Sequence, residues 1–555
     1  MPTHFDPDAE SAKLDALRLK EEEDLAEVLS GKYGMQYADL SVIAISNEAL
    51  RLVPEEKARE AEVIPFAHVA KKVSIAVHNP NNPALPAVLE SLEERGFVLT
   101  KYMVSAQSFR RALERYKDLS FAHVTAAGVF DLTNEDMEKL TAELHTLSGL
   151  KTYLDTVLAS RQAAQVSRIL EDIVVAALSM KASDIHVEPE EHAVRLRLRI
   201  DGLLEDAYMF DAKTYRSLNS RVKLLSGLKL NVENRAQDGR FTIAVGGKEI
   251  EIRTSAIPGN YGEALVLRIL DPSALGRTFE AMGMHPKLLA KLREEIRRPN
   301  GMLLTTGPTG SGKTTTLYTF LRELHTPETK IVTIEDPIEY HLEGIVQTQV
   351  DHKSYTFASG LRSVLRQDPD VILVGEIRDK EVAETAIQAA LTGHFVFSTL
   401  HTNNAAGTFP RLVDLGADPK VFASSVTVAM AQRLIRTLDP EHRVARATTP
   451  EEKALMEKVF ATLEDKSLIP ASFDTAYDAV PYEGGSGYKG RAGVYEGIFM
   501  DEELGTFLRD NPSEGDIQKH VRRQGFPDMA QVALMKVLAG ETSMEEVKRV
   551  VDLPS

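Results

Sequence analysis

Along residues 33 to 118, short apolar runs (Val63 to Pro65, Val73 to Val77) alternate with stretches of helical period (Ala84 to Arg95, Ala106 to Tyr116). Asn79-Pro80-Asn81-Asn82-Pro83 separates them. Proline's locked φ and asparagine's local bonding make that cluster a turn. The pattern predicts a compact α+β module of about 90 residues. The preceding 32 residues read as a charged, helix-prone arm in which Glu21 to Asp24 lie on a solvated face. Residues 119–160 read as a polar helical linker. From 161 to 272 the period changes again. Ala164 to Leu178 is helical, Ser183 to Val187 begins a strand, and Val194-Arg195-Leu196-Arg197-Leu198-Arg199-Ile200 alternates strictly. Strict alternation puts the three arginines on one face of a strand. Gly246-Gly247 predicts a hairpin turn between Phe241 to Val245 and Glu249 to Arg253.

Between 273 and 437, apolar strands alternate with helices, the pattern of a parallel sheet in an α/β fold. A charged stretch, 438–490, follows, with a helix over Pro450 to Leu463 and a glycine-rich piece at 483–487. Residues 491–555 read as helical. No internal repeat is found.

Composition narrows the classes. A chain of 555 residues holds roughly three to four domains. Lys and Arg total 65 against 82 Asp and Glu, a net charge of −17. That balance disfavours a nucleic-acid partner, which needs a basic surface. No cysteine is present, which excludes disulfides, thiolate zinc sites and iron–sulfur clusters. The N-terminus has no apolar signal core, and no run approaches about 18 apolar residues. A cytoplasmic chain that meets a membrane only through partners is expected.

The chemistry concentrates in one segment. Met302-Leu303-Leu304 is a short buried strand. It leads into Gly307-Pro308-Thr309-Gly310-Ser311-Gly312-Lys313-Thr314 and then a helix to about Leu324. This is a G-x-x-x-x-G-K-T loop in its strand–loop–helix setting. Backbone N–H groups turn inward onto phosphate oxygens, and the helix N-terminus adds partial positive charge. Lys313 is placed for the β/γ-phosphates and the Thr314 hydroxyl for Mg²⁺. Downstream, Asp370 to Val374 is a second buried strand, ending at Glu376, where an acid can join the Mg²⁺ shell or deprotonate water. The strand Ile331 to Ile334 ends in Glu335, Asp336 and Glu339 around Pro337, and the strand from Phe395 is bracketed by His394 and His401. No N-K-x-D guanine-reading element appears, so ATP is favoured over GTP.

On these residues the chain resembles the secretion ATPase superfamily, most closely the type IV pilus assembly and type II secretion ATPases. Ile334 to Glu339 is similar to the family's Asp box, Leu361 to Asp379 to its Walker B signature, and Thr392 to Thr402 to its His box. Ala182 to Pro189 with Arg199-Ile200-Asp201-Gly202 resembles the signature of the domain before the ATPase core. The resemblance implies an α/β, RecA-like P-loop core preceded by α+β domains, with a helical C-terminal tail. It implies a homohexameric ATP hydrolase with Mg²⁺, working on an inner-membrane platform protein. Glu376 becomes the expected general base, with Glu339 and His401 supporting the γ-phosphate site. Arg195, Arg197 and Arg199, with Arg253 and Arg268, become candidates to close on the phosphates. Pilus assembly is the first expectation, type II secretion the alternative. A nucleotide-gated scaffold and a nucleic-acid translocase are competing classes. Many members carry a four-cysteine zinc element after Gln432 to Arg436; with no cysteine here, no zinc is expected. No paired R-L-G repeat of the kind that binds cyclic di-GMP is found in the N-terminal module.

Overall fold

The computed structural model describes residues 21–554, except 41–42, 44, 51, 70, 119–122, 125–128, 133–142, 160–164, 246–247, 272–277, 352 and 483–484. The first 20 residues of the arm, the Gly246-Gly247 turn and much of the linker lie outside the described residues. The chain divides into two compact units. One comprises Met1–Met180, Asp184–Leu198 and Asp206–Ile269; the other comprises Lys181–Ser183, Arg199–Glu205 and Leu270–Ser555.

The first unit opens with a four-stranded sheet, order β1-β4-β3-β2, of β1 (Gln36–Tyr37), β2 (Val63–Val69), β3 (Lys72–Val77) and β4 (Val98–Met103). Helices α1 (Leu85–Glu94) and α2 (Ala106–Glu114) supply Leu92 and Leu113 to a core shared with Val73 and Ile75. Next come β5 (His123–Val124), β6 (Val129–Leu132), α3 (Leu147–Ala159), α4 (Gln165–Ser179), β7 (Asp184–Pro189), β8 (Val194–Ile200), β9 (Leu203–Phe210), α5 (Ala212–Leu225), β10 (Gln237–Val245), β11 (Lys248–Gly259) and β12 (Gly262–Leu270). Their strands form one sheet, order β5-β6-β10-β11-β12-β7-β8-β9. The alternation in β8 is realised: Val194, Leu196 and Leu198 are buried, and the arginines occupy the other face. The expected helical linker differs, because β5 and β6 fall inside it. Strands this short have no period to read; β6 is defined by its parallel pairing with β10, a contact distant in sequence.

Within this unit Lys223 of α5 and Glu263 of β12 form an ion pair of 2.8 Å, with side chains only 1 % and 3 % exposed. Asn219 also donates to Glu263, and Lys223 donates to the Val232 carbonyl. Both Glu263 oxygens accept from Lys223, which is the condition for tolerating buried charge.

The second unit holds α6 (Pro286–Glu295), β13 (Gly301–Thr306), α7 (Lys313–Leu324), β14 (Ile331–Glu335), β15 (Val346–Gln349), α8 (Phe357–Val364), β16 (Val371–Val374), α9 (Lys380–Leu391), β17 (Phe395–Leu400), α10 (Thr408–Asp414) and β18 (Val426–Leu438). It continues with β19 (Arg443–Ala447), α11 (Pro450–Ala461), β20 (Thr475–Ala479), β21 (Tyr488–Phe499), α12 (Glu502–Leu508), α13 (Glu514–Val521), α14 (Met529–Leu538) and α15 (Met544–Val550). Its main sheet has the order β15-β14-β16-β17-β13-β18-β21, parallel except for the β18–β21 pair. Every residue of β13, β14, β16 and β17 is buried, which is why these strands read as continuous apolar runs.

The tail differs from its sequence reading at its start: residues 491–499 belong to strand β21, not to a helix. Val494, Tyr495, Ile498 and Phe499 are spaced as a helix face would be, but both faces of β21 are covered. Pairing with the thirteen-residue β18 decides the outcome. The four helices beyond it begin at Asp501, Ser513, Asp528 and Ser543, each accepting a backbone N–H as an N-cap.

Replacing Lys223 with Met leaves the Glu263 carboxylate buried without its cation, so the first unit is expected to lose about 3 kcal/mol. Thermal unfolding of Lys223→Met beside the double variant Lys223→Met/Glu263→Leu checks this, the double variant recovering most of the loss.

Candidate nucleotide site

The register of the parallel strands builds the site. Leu304, Ser398, Val374 and Ile334 lie side by side across β13, β17, β16 and β14. The residues just beyond them, Gly307, His401, Glu376 and Asp336, therefore emerge along one carboxyl edge, where open α/β sheets bind ligands.

After Thr306 the backbone turns at Gly307 (φ 146°) and reaches Gly312 (φ 90°), which directly precedes α7. A Cβ on Gly307 would stand 2.6 Å from the Gln432 carbonyl and 2.8 Å from Ser311 Oγ. No side chain caps the N-terminus of α7, so its first N–H groups face the loop without an internal acceptor. Ser311 Oγ and Thr316 Oγ1 are buried with no hydrogen-bond partner. An uncapped helix start, orphaned hydroxyls and a cradle that a methyl group would fill suit a phosphate chain. Lys313 donates to the carbonyls of Gly307 (2.7 Å) and Pro308 (3.1 Å). Burial pushes its pKa down, Arg433 adds to this, and Glu376 opposes it.

Glu376 is 19 % exposed and engaged at both oxygens: Arg378 pairs with Oε1, and His401 Nε2 lies 3.5 Å from Oε2. Arg378 also reaches Asp336 at 3.4 Å, and its bond to Glu376 pushes its pKa up. Glu335, at the end of β14, is buried among donors: the Tyr318 hydroxyl, Thr333 Oγ1 at 2.5 Å and Gln347 Nε2 at 3.2 Å. Burial pushes its pKa up. The Tyr318 hydroxyl also faces the backbone N–H groups of Tyr340 and Glu339, tying α7 to the turn that carries Glu339.

The structure thus gathers Gly307 to Thr314, Glu376 and His401 on one edge, with the Glu339 turn tied to α7. The arginines of β8 have local partners. Arg195 pairs with Glu190 at 2.7 Å, Arg197 with Glu188 at 2.6 Å, and Arg199 donates to the Gly202 carbonyl at 3.2 Å. Four participants were missing from the candidate set. Tyr318 sits mid-helix as one more core aromatic. Arg378 lies inside the Walker B stretch but carries no signal of its own. Gln432 and Arg433 enter because β18 pairs with β13, bringing Gln432 Nε2 to 2.7 Å from the Ser311 carbonyl. That adjacency is invisible to local period. Among the described residues no group of three or more His, Asp or Glu is arranged to hold a metal. No described helix is long and apolar enough to cross a membrane.

A parallel sheet with a glycine-rich loop on one strand and acids on its neighbours defines an α/β protein with its candidate site on one sheet edge. Residues 159–549 match the type II/IV secretion system protein family, and residues 33–123 match the MshEN domain. The chain belongs to the type II/IV secretion system protein family. It is 38 % identical over 507 residues to type II secretion system protein E of Dickeya dadantii, covering 90 % of this chain and 97 % of that one. It is 35 % identical to the type IV pilus assembly ATPase PilB of Myxococcus xanthus, covering 95 % and 91 %. The ATPase DotB of Yersinia pseudotuberculosis is similar in fold, with a TM-score of 0.50 and 20 % identity over 69 % of this chain and 93 % of that one. The core is RecA-like, preceded by α+β domains and followed by C-terminal helices.

Gly307→Ala forces a side chain into a left-handed backbone and against a carbonyl. That costs about 1–3 kcal/mol, so nucleotide affinity is expected to fall by about 5- to 150-fold. Titration with a fluorescent ATP analogue, beside a thermal melt, measures the effect.

Proposed function

We propose that this chain is an ATP-hydrolysing motor of the secretion and pilus class. The observation that carries the reading is the uncapped start of α7 behind Gly307, facing the edge where Glu376 emerges. Lys313 leaves the Gly307 and Pro308 carbonyls for the phosphates, and the backbone N–H groups of the loop take the β-phosphate oxygens. Thr314 and Glu376 would hold Mg²⁺, which when bound neutralises charge developing on the phosphates. Glu376 accepts the proton of the attacking water at a carboxylate oxygen. His401, close to Oε2, and Glu339, on the turn held by Tyr318, orient that water and the γ-phosphate. Arg195 and Arg199 are assigned to answer charge developing on the phosphates.

The working unit in this reading is a homohexamer at the inner face of the cytoplasmic membrane, passing work by contact to a platform protein. Relatives named for type II secretion and for pilus assembly are similarly identical to this chain, so the reading stands at what both names share.

Phosphate release by purified rings tests it. Lys313→Ala is expected to abolish turnover. Glu376→Gln is expected to bind ATP normally and to hydrolyse it about 10²–10⁴-fold more slowly. Wild-type rings that bind ATP without steady-state phosphate release would make the chain a nucleotide-gated scaffold instead.

A further inference from the structure

The turn after β17, residues 401–407, is held from four sides. Thr402 donates its backbone N–H to Thr306 Oγ1 at 2.7 Å, beside the start of the phosphate loop. Arg433 donates to the Asn403 carbonyl at 2.7 Å, and Asn404 Nδ2 donates to Glu514 of α13 at 2.6 Å. The Ala405 N–H donates to Glu496 Oε1 at 2.7 Å. The other oxygen of Glu496 accepts the N–H of Met529, the first residue of α14, at 3.0 Å. One carboxylate on β21 therefore joins the turn that follows His401 to the C-terminal helices. Removing a carboxylate from water is costly, and two aimed N–H groups are what offset the cost here.

We propose that Glu496 is a positioning residue for turnover: its carboxylate fixes the His401–Thr402 turn against β13 and makes the placement of α14 an input to the nucleotide site. The inference rests on the ATPase reading above. Burial pushes the Glu496 carboxyl up to about 7, with Asp528 raising it further and Arg433 opposing. Asp528 caps α14, and Glu514 holds the adjacent Asn404. Protonation adds an O–H donor to one oxygen and leaves the group a neutral, weaker acceptor for the two N–H groups, so the tie loosens as pH falls through this range.

Two variants test the tie. Glu496→Gln is nearly isosteric and opposes one N–H with an NH₂ at every pH. Met529→Pro removes the donor at the first helical position, where proline is accommodated. For Glu496→Gln at pH 8, kcat is expected to fall about tenfold with KM for ATP within about twofold. The wild-type to variant ratio is expected to approach unity below about pH 6, where the wild-type carboxyl is itself protonated. Met529→Pro is expected to lower kcat in the same direction, with thermal melts confirming that both variants fold. Wild-type kcat in either folded variant at pH 8, while Lys313→Ala is inactive, overturns this inference alone. A deficit in Glu496→Gln that is equal at pH 6 and pH 8 overturns it too. Turnover in Lys313→Ala overturns the ATPase reading instead.

Discussion

The parallel register of β13, β14, β16 and β17 is the constraint on which the site depends. Because Leu304, Ser398, Val374 and Ile334 stand level, every strand delivers the residue two or three positions beyond to the same edge. A one-residue slip of β16 would turn Glu376 to the opposite face of the sheet. What resists the slip is burial on both sides, since each strand packs apolar side chains into two core layers. Val374 and Ile334 sit in one layer, Leu303 and Leu373 in the other. Site geometry and core packing are thus the same property of these four strands.

The edge so formed carries charges that already answer one another. Lys313 is held by its own loop's carbonyls and Glu376 by Arg378 and His401. A ligand must therefore exchange partners with these groups rather than fill a passive hollow. Exchange is a physical route by which binding becomes movement: freeing Arg378 from Glu376 also loosens its contact with Asp336 on the neighbouring strand. Buried Glu335 works in the opposite sense. Fixed by Tyr318, Thr333 and Gln347, it ties α7 to the end of β14.

Much of this was legible in the sequence, and the failures share one cause. The phosphate loop, the arginine face of β8 and the buried strands follow from spacing and period, which are local properties. Strand β6 and the first nine residues of the supposed helical tail were missed because a strand partner far along the chain defines them, and β5 is a two-residue strand that pairs only with β6. Gln432 and Arg433 escaped for the same reason, since their nearness to Ser311 and Asn403 comes from the pairing of β18 with β13. The motif residues announce their chemistry; the residues that hold them do not, because Tyr318 and Glu496 look like an ordinary core aromatic and an ordinary strand acid.

The cysteine-free segment 438–490 shows how such holding is achieved by packing and ion pairs. Arg446 on β19 is gripped by Glu452 on α11, at 2.7 Å and 2.8 Å, and by Asp478 on β20 at 2.6 Å. The guanidinium thereby joins a helix to a two-stranded sheet that has few other reasons to persist. Met456, Val459 and Phe460 of α11 enter the same apolar core as Val532 and Ala533 of α14, while Gln531 of α14 donates to the Val459 carbonyl at 3.2 Å. The segment is therefore continuous with the C-terminal helices rather than appended to the fold. Strand β20 (through Ala476) and α11 thus share one core with α14, whose first N–H meets Glu496.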